Sequence, residues 1–551
     1  MWSCVFIFFA CICTCYADSR VIYTAQGPVK GYKENGLYAF YNIPYAKAPT
    51  GRDRFKPPLP APARTYVLEA RDRGILCPQP TMLIDMFPQS VTMTEDCLVA
   101  NVYIPDTTNT NLPVVVYVHG GGYIVGYGNL FTYNHFVKTH EVIVVTFNYR
   151  LGAHGFLCLG TDAVPGNAGM KDQVALLRWV KENIANFGGD PDDVTIAGYS
   201  AGSSSVDLLM LSDMTKGLFT KVIPESRAST AAWSVQIDPI KNAQEYGKLL
   251  NFTNDDVHAL EEFYKTISYE ILTSKQFELF YRPDSTVLFS PCVERDTQGE
   301  EFLLDNPVNI IKSGKYSKLP MLYGFVKTEG LVKIETFNHW IEVMRDNFDV
   351  FMPTDLHFNS DEDRKMVANT VKQFYFGDTV TDKKVMDYVN FFSDVLFTYS
   401  TLRSVKLHLE AGHDKIYLYQ YSFVHDDLPI IPHTMKQRGP CHGAQSADIA
   451  DGNFTLGDES LFPKEAQDMK KMMRELWYSF ITTGQPVPEG SDLPAWPPVG
   501  KDLSYMTIDN PMRLNDSLLK ERTEFWDEIY SKYYHQPSQP IKSQSTDHIE
   551  L

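Results

Sequence analysis

The sequence lacks long apolar segments, basic clusters and the Cys/His spacing of a zinc site. Beyond the N-terminal residues, no stretch approaches the roughly 20 apolar residues of a membrane-spanning helix, so we expect no membrane span. Its 551 residues carry 50 Lys and Arg against 68 Asp and Glu, a net charge of −18 without a long basic run. Because nucleic-acid binding needs a concentrated basic surface, this balance argues against a nucleic-acid partner.

Cysteine is scarce, and four of the nine cysteines lie in the N-terminal residues 1–17. This segment is apolar from Trp2 to Cys15 and ends on small residues, which predicts a cleaved secretory signal peptide. Five cysteines remain, and since five is odd at least one thiol stays free or pairs with another chain. They are Cys77, Cys97, Cys158, Cys292 and Cys441.

Other short motifs agree with entry into the secretory pathway. Sequons for N-glycosylation begin at Asn251, Asn453 and Asn515. The chain ends in His548–Leu551, HIEL, which resembles the tetrapeptide that a retrieval receptor reads, with Ile in place of Asp. Residues 536–551 form a polar tail that we expect to be disordered. We therefore expect the protein to be retained in the lumen of the endoplasmic reticulum if a retrieval receptor recognises HIEL, and to be secreted otherwise.

Strand-like and helix-like segments alternate along the chain, which is typical of an α/β protein with a sheet covered on both faces. Apolar, β-branched runs predict buried strands, and apolar residues three or four positions apart predict helices. The predicted strands are 112–119, 141–150, 194–199, 319–325 and 415–423. The predicted helices are 166–187, 201–211 and 518–534.

The pentapeptide Gly198–Gly202, GYSAG, lies between a predicted strand and a predicted helix. A sharp strand-to-helix turn exposes its central side chain and leaves room only for small residues two positions away. The pattern predicts Ser200 as a nucleophile. A chance match in an ordinary turn is the alternative, and the strand and helix on either side argue against it.

Acyl transfer also needs hydrogen-bond donors for the oxyanion that develops on the substrate. The run His119–Gly122, HGGG, follows the predicted strand 112–119 directly. Glycines let backbone N–H groups approach a substrate oxygen, so we predict an oxyanion hole formed by Gly121, Gly122 and Ala201.

Longer segments resemble the type-B carboxylesterase family, which includes cholinesterases and insect esterases. The similarity is densest over residues 95–233, where Gly166–Gln173 and Asn186–Pro191 match almost residue for residue. Weaker similarity covers nearly the whole chain. The resemblance implies one α/β-hydrolase domain over residues 18–535, with a large, mostly parallel central sheet flanked by helices and long insertions.

The same resemblance completes a catalytic triad. The family's acid lies in Gly-x-x-x-x-Glu-Gly, which Gly324–Gly330 fits with Glu329, and its histidine lies in Gly-x-x-His, which Gly439–His442 fits. His442 would take the proton of Ser200 and return it to the leaving alcohol, while Glu329 orients the imidazole. An acyl-enzyme would form on a small-molecule ester, without a metal or organic cofactor. Two nearby histidines lack the glycine spacing: His425 and His433.

Further positions carry over from the family. Cys77 and Cys97 match its early disulfide, whereas Cys292 stands alone where a second pair is usual. Trp233 falls at an acyl-pocket aromatic, with plain core packing as the alternative. Two structural ion pairs are implied, Arg54 with Glu95 and Arg150 with Asp172.

The chain departs from the family behind the triad. Tyr199 replaces the usual Glu, Glu225–Arg227 replaces Gln-Ser-Gly, and Gln445 replaces an acid, which predicts a reorganised polar network. Arg227 would narrow the acyl pocket, bind an acidic group or point to solvent. No Trp lies between Cys77 and Cys97, which argues against choline esters.

Three functions follow as hypotheses. The first is a carboxylesterase that acts on uncharged, fairly apolar esters, in detoxification or in degrading ester signals. The others are a non-catalytic binding protein of the same fold and a sequestering protein that acylates once and turns over slowly. The complete triad and glycine run favour the first.

Overall fold

The computed structural model describes residues 18–81, 91–284, 286–297, 299–452 and 458–540. The predicted signal peptide at 1–17, the sequon at Asn453 and the terminal His548–Leu551 lie outside the described residues. Among the described residues, no helix has both the length and the apolar character needed to cross a membrane.

A sheet of 13 described strands forms the centre of the fold. Its order is β1-β2-β3-β9-β11-β10-β12-β13-β14-β15-β16-β17, with β6 paired to β2. In chain order the strands are β1 Ser19–Thr24, β2 Gly27–Glu34, β3 Leu37–Pro44, β4 Ala46–Lys47, β5 Leu59–Pro60, β6 Leu68–Glu69, β7 Ile75–Leu76, β8 Thr92–Met93, β9 Val99–Pro105, β10 Leu112–Val118, β11 Ile143–Phe147, β12 Gly189–Tyr199, β13 Lys221–Glu225, β14 Met321–Val326, β15 Ile416–Tyr421, β16 Tyr505–Ile508 and β17 Arg513–Asn515.

The sheet is parallel in its middle and antiparallel toward its edges, apart from the short β6, which pairs parallel with β2. Every neighbouring pair from β11 to β16 is parallel, whereas β1, β2, β3 and β9 pair antiparallel, as do β9 with β11 and β16 with β17. In this arrangement the carboxyl ends of β10, β12, β14 and β15 lie at the same edge. The segments that carry the predicted triad and oxyanion-hole residues follow these four strands.

Helices cover both faces of the sheet. They are α1 Asn134–His140, α2 Gly152–Phe156, α3 Ala168–Asn183, α4 Ala201–Leu211, α5 Pro239–Leu249, α6 Val257–Thr266, α7 Tyr269–Thr273, α8 Pro307–Ser313, α9 Phe337–Asp346, α10 Asp361–Phe376, α11 Val385–Ser393, α12 Tyr399–Glu410, α13 Ala444–Ile449, α14 Lys464–Thr483 and α15 Lys520–Tyr533. The predicted α/β-hydrolase fold is confirmed.

Two hydrophobic cores result, one on each face. In β10, Val114 and Val116 belong to the core that includes α3 and α4, whereas Val115 and Tyr117 belong to the core that includes α14. Because successive side chains of a strand point to opposite faces, a strand buried on both faces needs a continuous apolar run. This explains why the sequence of β10 could be recognised as a buried strand.

The predicted elements agree with the structure apart from their ends. Strand β12 begins at Gly189, five residues before the predicted 194, and helix α3 ends at Asn183 in a 3₁₀ turn, Ile184–Phe187. The start of the predicted disordered tail lies against the domain, since the side chain of Asn306 donates to Gln536 at 2.9 Å.

Two disulfides and the two predicted ion pairs join segments that are separate in the sequence of the described residues. Cys77 bonds Cys97, and Cys158 bonds Cys292, so the expectation that Cys292 stands alone is wrong. Sequence spacing does not show this pairing because 134 positions separate the two cysteines. Cys441 is free and exposed. The ion pairs join Arg54 to Glu95 at 2.8 Å and Arg150 to Asp172 at 2.6 Å.

Candidate active site

Ser200 occupies a strained turn between β12 and α4. Its backbone has φ 57° and ψ −122°, a left-handed φ that a residue with a Cβ adopts only when its surroundings enforce it. Its N–H donates to the carbonyl of Glu225 at 2.9 Å, which holds the turn against β13. At Gly202 a Cβ would overlap the carbonyl oxygen of Val118, so the glycine lets the turn pack against β10.

The glycine loop after β10 lies beside this turn. Gly121 has φ 105° and Gly122 φ 63°, and the Gly121 carbonyl accepts from the N–H groups of Ile124 and Val125 at 3.0 and 3.1 Å. A Cβ on Gly121 would overlap the Val125 carbonyl, so the loop requires glycine there. Hydrogen bonds therefore fix the path of the loop.

Three N–H groups beside Ser200 are free to bind a ligand. In the described part of the chain, those of Gly121, Gly122 and Ala201 donate to no protein acceptor. The Ala201 N–H is at the N-terminus of the 11-residue helix α4, where unpaired donors concentrate positive charge. Free donors with this charge suit a developing oxyanion.

His119 precedes the glycines and is a residue whose role the sequence did not indicate. Its ring stacks on Tyr149 with centroids 4.4 Å apart, and its Nδ1 lies 2.8 Å from the Gly120 carbonyl. Burial lowers the pKa of His119 to about 4, so the ring is neutral near pH 7. Its contacts assign it to holding the glycine loop.

Glu329 and His442 form a hydrogen-bonded pair. Glu329 follows β14 and has no solvent exposure, and its Oε2 lies 2.6 Å from Nδ1 of His442. Its Oε1 accepts from the Val326 N–H at 2.9 Å, so both carboxylate oxygens are used. Because Nδ1 faces the carboxylate, Nε2 of the imidazole is left for proton transfer.

A second contact joins the loops that carry this pair. The hydroxyl of Thr328, one residue before Glu329, donates to the carbonyl of Pro440, two residues before His442, at 2.8 Å. On its other side the His442 ring packs on Phe397 with centroids 4.3 Å apart. The imidazole is therefore held on two sides.

A cavity of about 400 Å³ brings the predicted residues together. Ser200, His442, Gly121, Gly122 and Trp233 all line it. Much of the remaining lining is apolar or aromatic: Val125, Phe277, Leu279, Val287, Leu396 and Phe397. Trp233 is buried and also lines the cavity, so it both packs in the core and forms part of the pocket wall.

The departures from the family at positions 225 and 445 take part in a polar network behind the site. Glu225 is fully buried, and its carboxylate accepts from the hydroxyls of Tyr419 and Ser446. Burial raises the pKa of Glu225 to about 7. Beside it the Gln445 amide donates to the Ser226 hydroxyl at 2.6 Å. A carboxyl at 225 thus lies behind the nucleophile, where the family's acids at positions 199 and 445 are missing.

The other residues singled out from the sequence lie outside this constellation. Asn251 and Asn515 are exposed, His433 is exposed and His425 is half-buried. None of them lines the cavity that contains Ser200. Arg227 is fully buried, so the expectation that it points to solvent is wrong.

One described group has the composition of a cation site: His135, Asp451 and Glu459. Its carboxylates already have partners, because Asp451 accepts from two backbone N–H groups and Glu459 pairs with Arg474. None of the three lines the cavity around Ser200. The group is therefore a structural cluster away from the candidate site.

Comparisons with known proteins agree with this geometry. The model of the carboxylesterase family matches residues 18–526. Esterase FE4 of Myzus persicae is 32% identical over 526 residues, 90% of this chain and 90% of that protein. A carboxylic ester hydrolase of Bombus ignitus is 30% identical over 531 residues, 92% of this chain and 93% of that protein.

A solved structure extends the likeness to three dimensions. The crystal structure of juvenile hormone esterase from Manduca sexta, with OTFP covalently attached, has a TM-score of 0.83 and 27% identity. The match covers 93% of this chain and 100% of that chain. Sequence, fold and relatives agree that the chain belongs to the carboxylesterase family and is an enzyme that hydrolyses carboxylic esters.

Proposed function

We propose that the enzyme hydrolyses uncharged, fairly apolar esters through an acyl-enzyme on Ser200. The observation that carries the proposal is the Glu329–His442 hydrogen bond, 2.6 Å long, whose histidine lines the cavity together with Ser200. A serine hydroxyl is a weak nucleophile until a base takes its proton, and an imidazole held by a carboxylate is such a base.

The reaction proceeds in two halves. His442 accepts the hydroxyl proton as Ser200 attacks the ester carbonyl, and the N–H groups of Gly121, Gly122 and Ala201 bind the oxyanion. The protonated imidazole then gives its proton to the departing alcohol. In the second half His442 activates a water molecule, which releases the acid and restores Ser200.

The lining of the cavity supports the substrate class. Phe277, Val287, Leu396 and Phe397 offer apolar surface on which a hydrocarbon chain is desolvated favourably. Such a pocket suits the detoxification of foreign esters or the degradation of ester signals.

Two kinds of observation support a place in the secretory pathway. The described chain contains two disulfides, which persist in oxidising compartments. The sequon residues Asn251 and Asn515 are exposed, as glycosylation requires. The signal peptide at 1–17 and retrieval through His548–Leu551 stay predictions.

The test is hydrolysis of 4-nitrophenyl esters from acetate to octanoate by the wild type and by Ser200→Ala. We expect turnover that is lost in the variant and a rate that rises with chain length until the pocket is filled. Ser531→Ala, the same change at an exposed position of α15, should leave turnover intact.

Two outcomes would contradict the proposal. A single burst of nitrophenol without turnover would indicate the sequestering protein. Hydrolysis that persists in Ser200→Ala would remove Ser200 from the reaction.

A further inference from the structure

Arg227 places a cation against the wall of the catalytic cavity. Its side chain is fully buried, and its guanidinium carbon lies 3.1 Å from the Trp233 ring centroid and 4.9 Å from that of Phe397. Its Nη2 donates to the carbonyl of Leu396. Trp233, Leu396 and Phe397 all line the cavity that contains Ser200, so the guanidinium lies one layer of side chains behind that surface.

This guanidinium is incompletely satisfied. Within the described residues, its Nε and Nη1 have no hydrogen-bond acceptor. Glu329 exerts an attraction on it without a hydrogen bond between the two. A buried cation without a paired anion is costly, because it loses hydration without replacing it.

Arg150 shows how this chain buries an arginine for structure alone. It is equally buried, but two of its nitrogens donate to the carboxylate of Asp172 at 2.8 and 2.6 Å. Its remaining donors reach backbone carbonyls of Arg54, Lys56 and Ala168. Arg227 therefore differs from Arg150 in having two donors without an acceptor, and it lies next to the substrate cavity.

We propose that Arg227 binds an oxygen acceptor at the far end of the substrate's acyl group. This inference rests on the proposed function and narrows its substrate class. The favoured acyl group is apolar next to the ester carbonyl, where it contacts Trp233 and Phe397, and carries a ketone or carboxylate oxygen several bonds away. Because the guanidinium lies one layer behind the cavity surface, the oxygen reaches it only where the side chains of Trp233 and Phe397 move apart. There it supplies the acceptor that Nε and Nη1 lack.

The test compares three 4-nitrophenyl esters of five-carbon acyl groups: pentanoate, 4-oxopentanoate and the glutarate half-ester. They end in a methyl, a methyl ketone and a carboxylate. Wild type is compared with Arg227→Met, which keeps a long side chain but removes the charge and the donors, and with Arg227→Lys, which keeps the charge. Dividing the kcat/KM of each acceptor ester by that of pentanoate cancels general losses of activity.

For at least one acceptor ester we expect this ratio to be roughly ten to a hundred times higher in wild type than in Arg227→Met, which is the range of a hydrogen bond to a charged group. Arg227→Lys should retain part of it. If the wild-type ratio is higher with both esters, Arg227 binds either kind of oxygen acceptor. If it is higher with the glutarate ester alone, Arg227 binds a carboxylate.

The inference would be overturned if, for both acceptor esters, the kcat/KM ratio to pentanoate were the same in wild type and Arg227→Met. It would also be overturned if Arg227→Met changed only the preference between acetate and pentanoate, because that result would indicate a packing role. If Arg227→Met does not fold, the wild-type ratios are divided by the spontaneous hydrolysis ratios in the same buffer, and values below about two for both esters overturn the inference instead. If wild type showed no Ser200-dependent hydrolysis of the pentanoate ester, the proposed function itself would be refuted. Failure of the proposed function can therefore be distinguished from failure of the inference about Arg227.

Discussion

Replacing Glu225 by Gln should stabilise the enzyme at alkaline pH. The carboxyl is fully buried and accepts hydrogen bonds from Tyr419 and Ser446, and burial raises its pKa from the usual 4.5 to about 7. Gln has the same shape and can accept from one hydroxyl while donating to the other, but it cannot ionise. The substitution therefore removes the charge while keeping the packing.

The direction in which stability changes with pH follows from proton binding. Between pH 4.5 and about 7 the unfolded state has lost the Glu225 proton and the folded state keeps it, so stability falls as pH rises and is constant above about 7. Below pH 4.5 both states are protonated and the full stability is present. Each pH unit of this window corresponds to about 1.4 kcal/mol, so the total loss is roughly 3 kcal/mol.

The assay is urea unfolding followed by tryptophan fluorescence at pH 4.5 and pH 8. Wild type and Glu225→Gln should have similar free energies of unfolding at pH 4.5, and at pH 8 the variant should be more stable by roughly 3 kcal/mol. Glu524→Gln, at an exposed position of α15, is the matched control and should not change the pH dependence. If the free energy of unfolding changed between pH 4.5 and pH 8 by the same amount in Glu225→Gln as in wild type, the reasoning would be refuted, because the pH dependence would then come from other groups.

Two further changes test other parts of the structure. Glu329→Gln removes the charge that orients His442 and should lower kcat/KM for 4-nitrophenyl pentanoate by about 10³- to 10⁴-fold, without a comparable change in urea midpoint; a loss below tenfold would exclude a catalytic carboxylate. Replacing Cys158 and Cys292 together by Ser opens a loop of 134 residues and should cost about 3–5 kcal/mol of unfolding free energy. An unchanged urea midpoint would show that the disulfide constrains the unfolded chain little.

The site could be predicted largely because its signals are local. The turn at Ser200 is recognisable from a buried strand, a pentapeptide with two glycines and a helix that follow one another directly. The glycines of the loop after β10 are needed for its path, as the overlap of a Cβ at Gly121 with the Val125 carbonyl shows. The acid and the histidine needed the family resemblance, because a lone Glu or His has no local signature.

Features that depend on distant contacts could not be predicted. The buried Arg227 donates to the carbonyl of Leu396, 169 positions away, and the Cys158–Cys292 bond spans 134 positions. The change at 225 indicated a new polar network, but only the fold shows which hydroxyls supply it. Sequence patterns report on neighbours along the chain, whereas these contacts are made between loops and helices that meet only after folding.

The hydrogen bond from Thr328 to the Pro440 carbonyl has a mechanical consequence. It fastens the loops after β14 and β15, so the acid and the base should move as one body relative to the nucleophile. A bulky ester that pushes the histidine loop outward would then lengthen the path from Ser200 to the imidazole and leave the Glu329–His442 distance almost unchanged. With such substrates, proton transfer from Ser200 to His442 would be slower, although Glu329 would still hold the imidazole in the tautomer that accepts the proton.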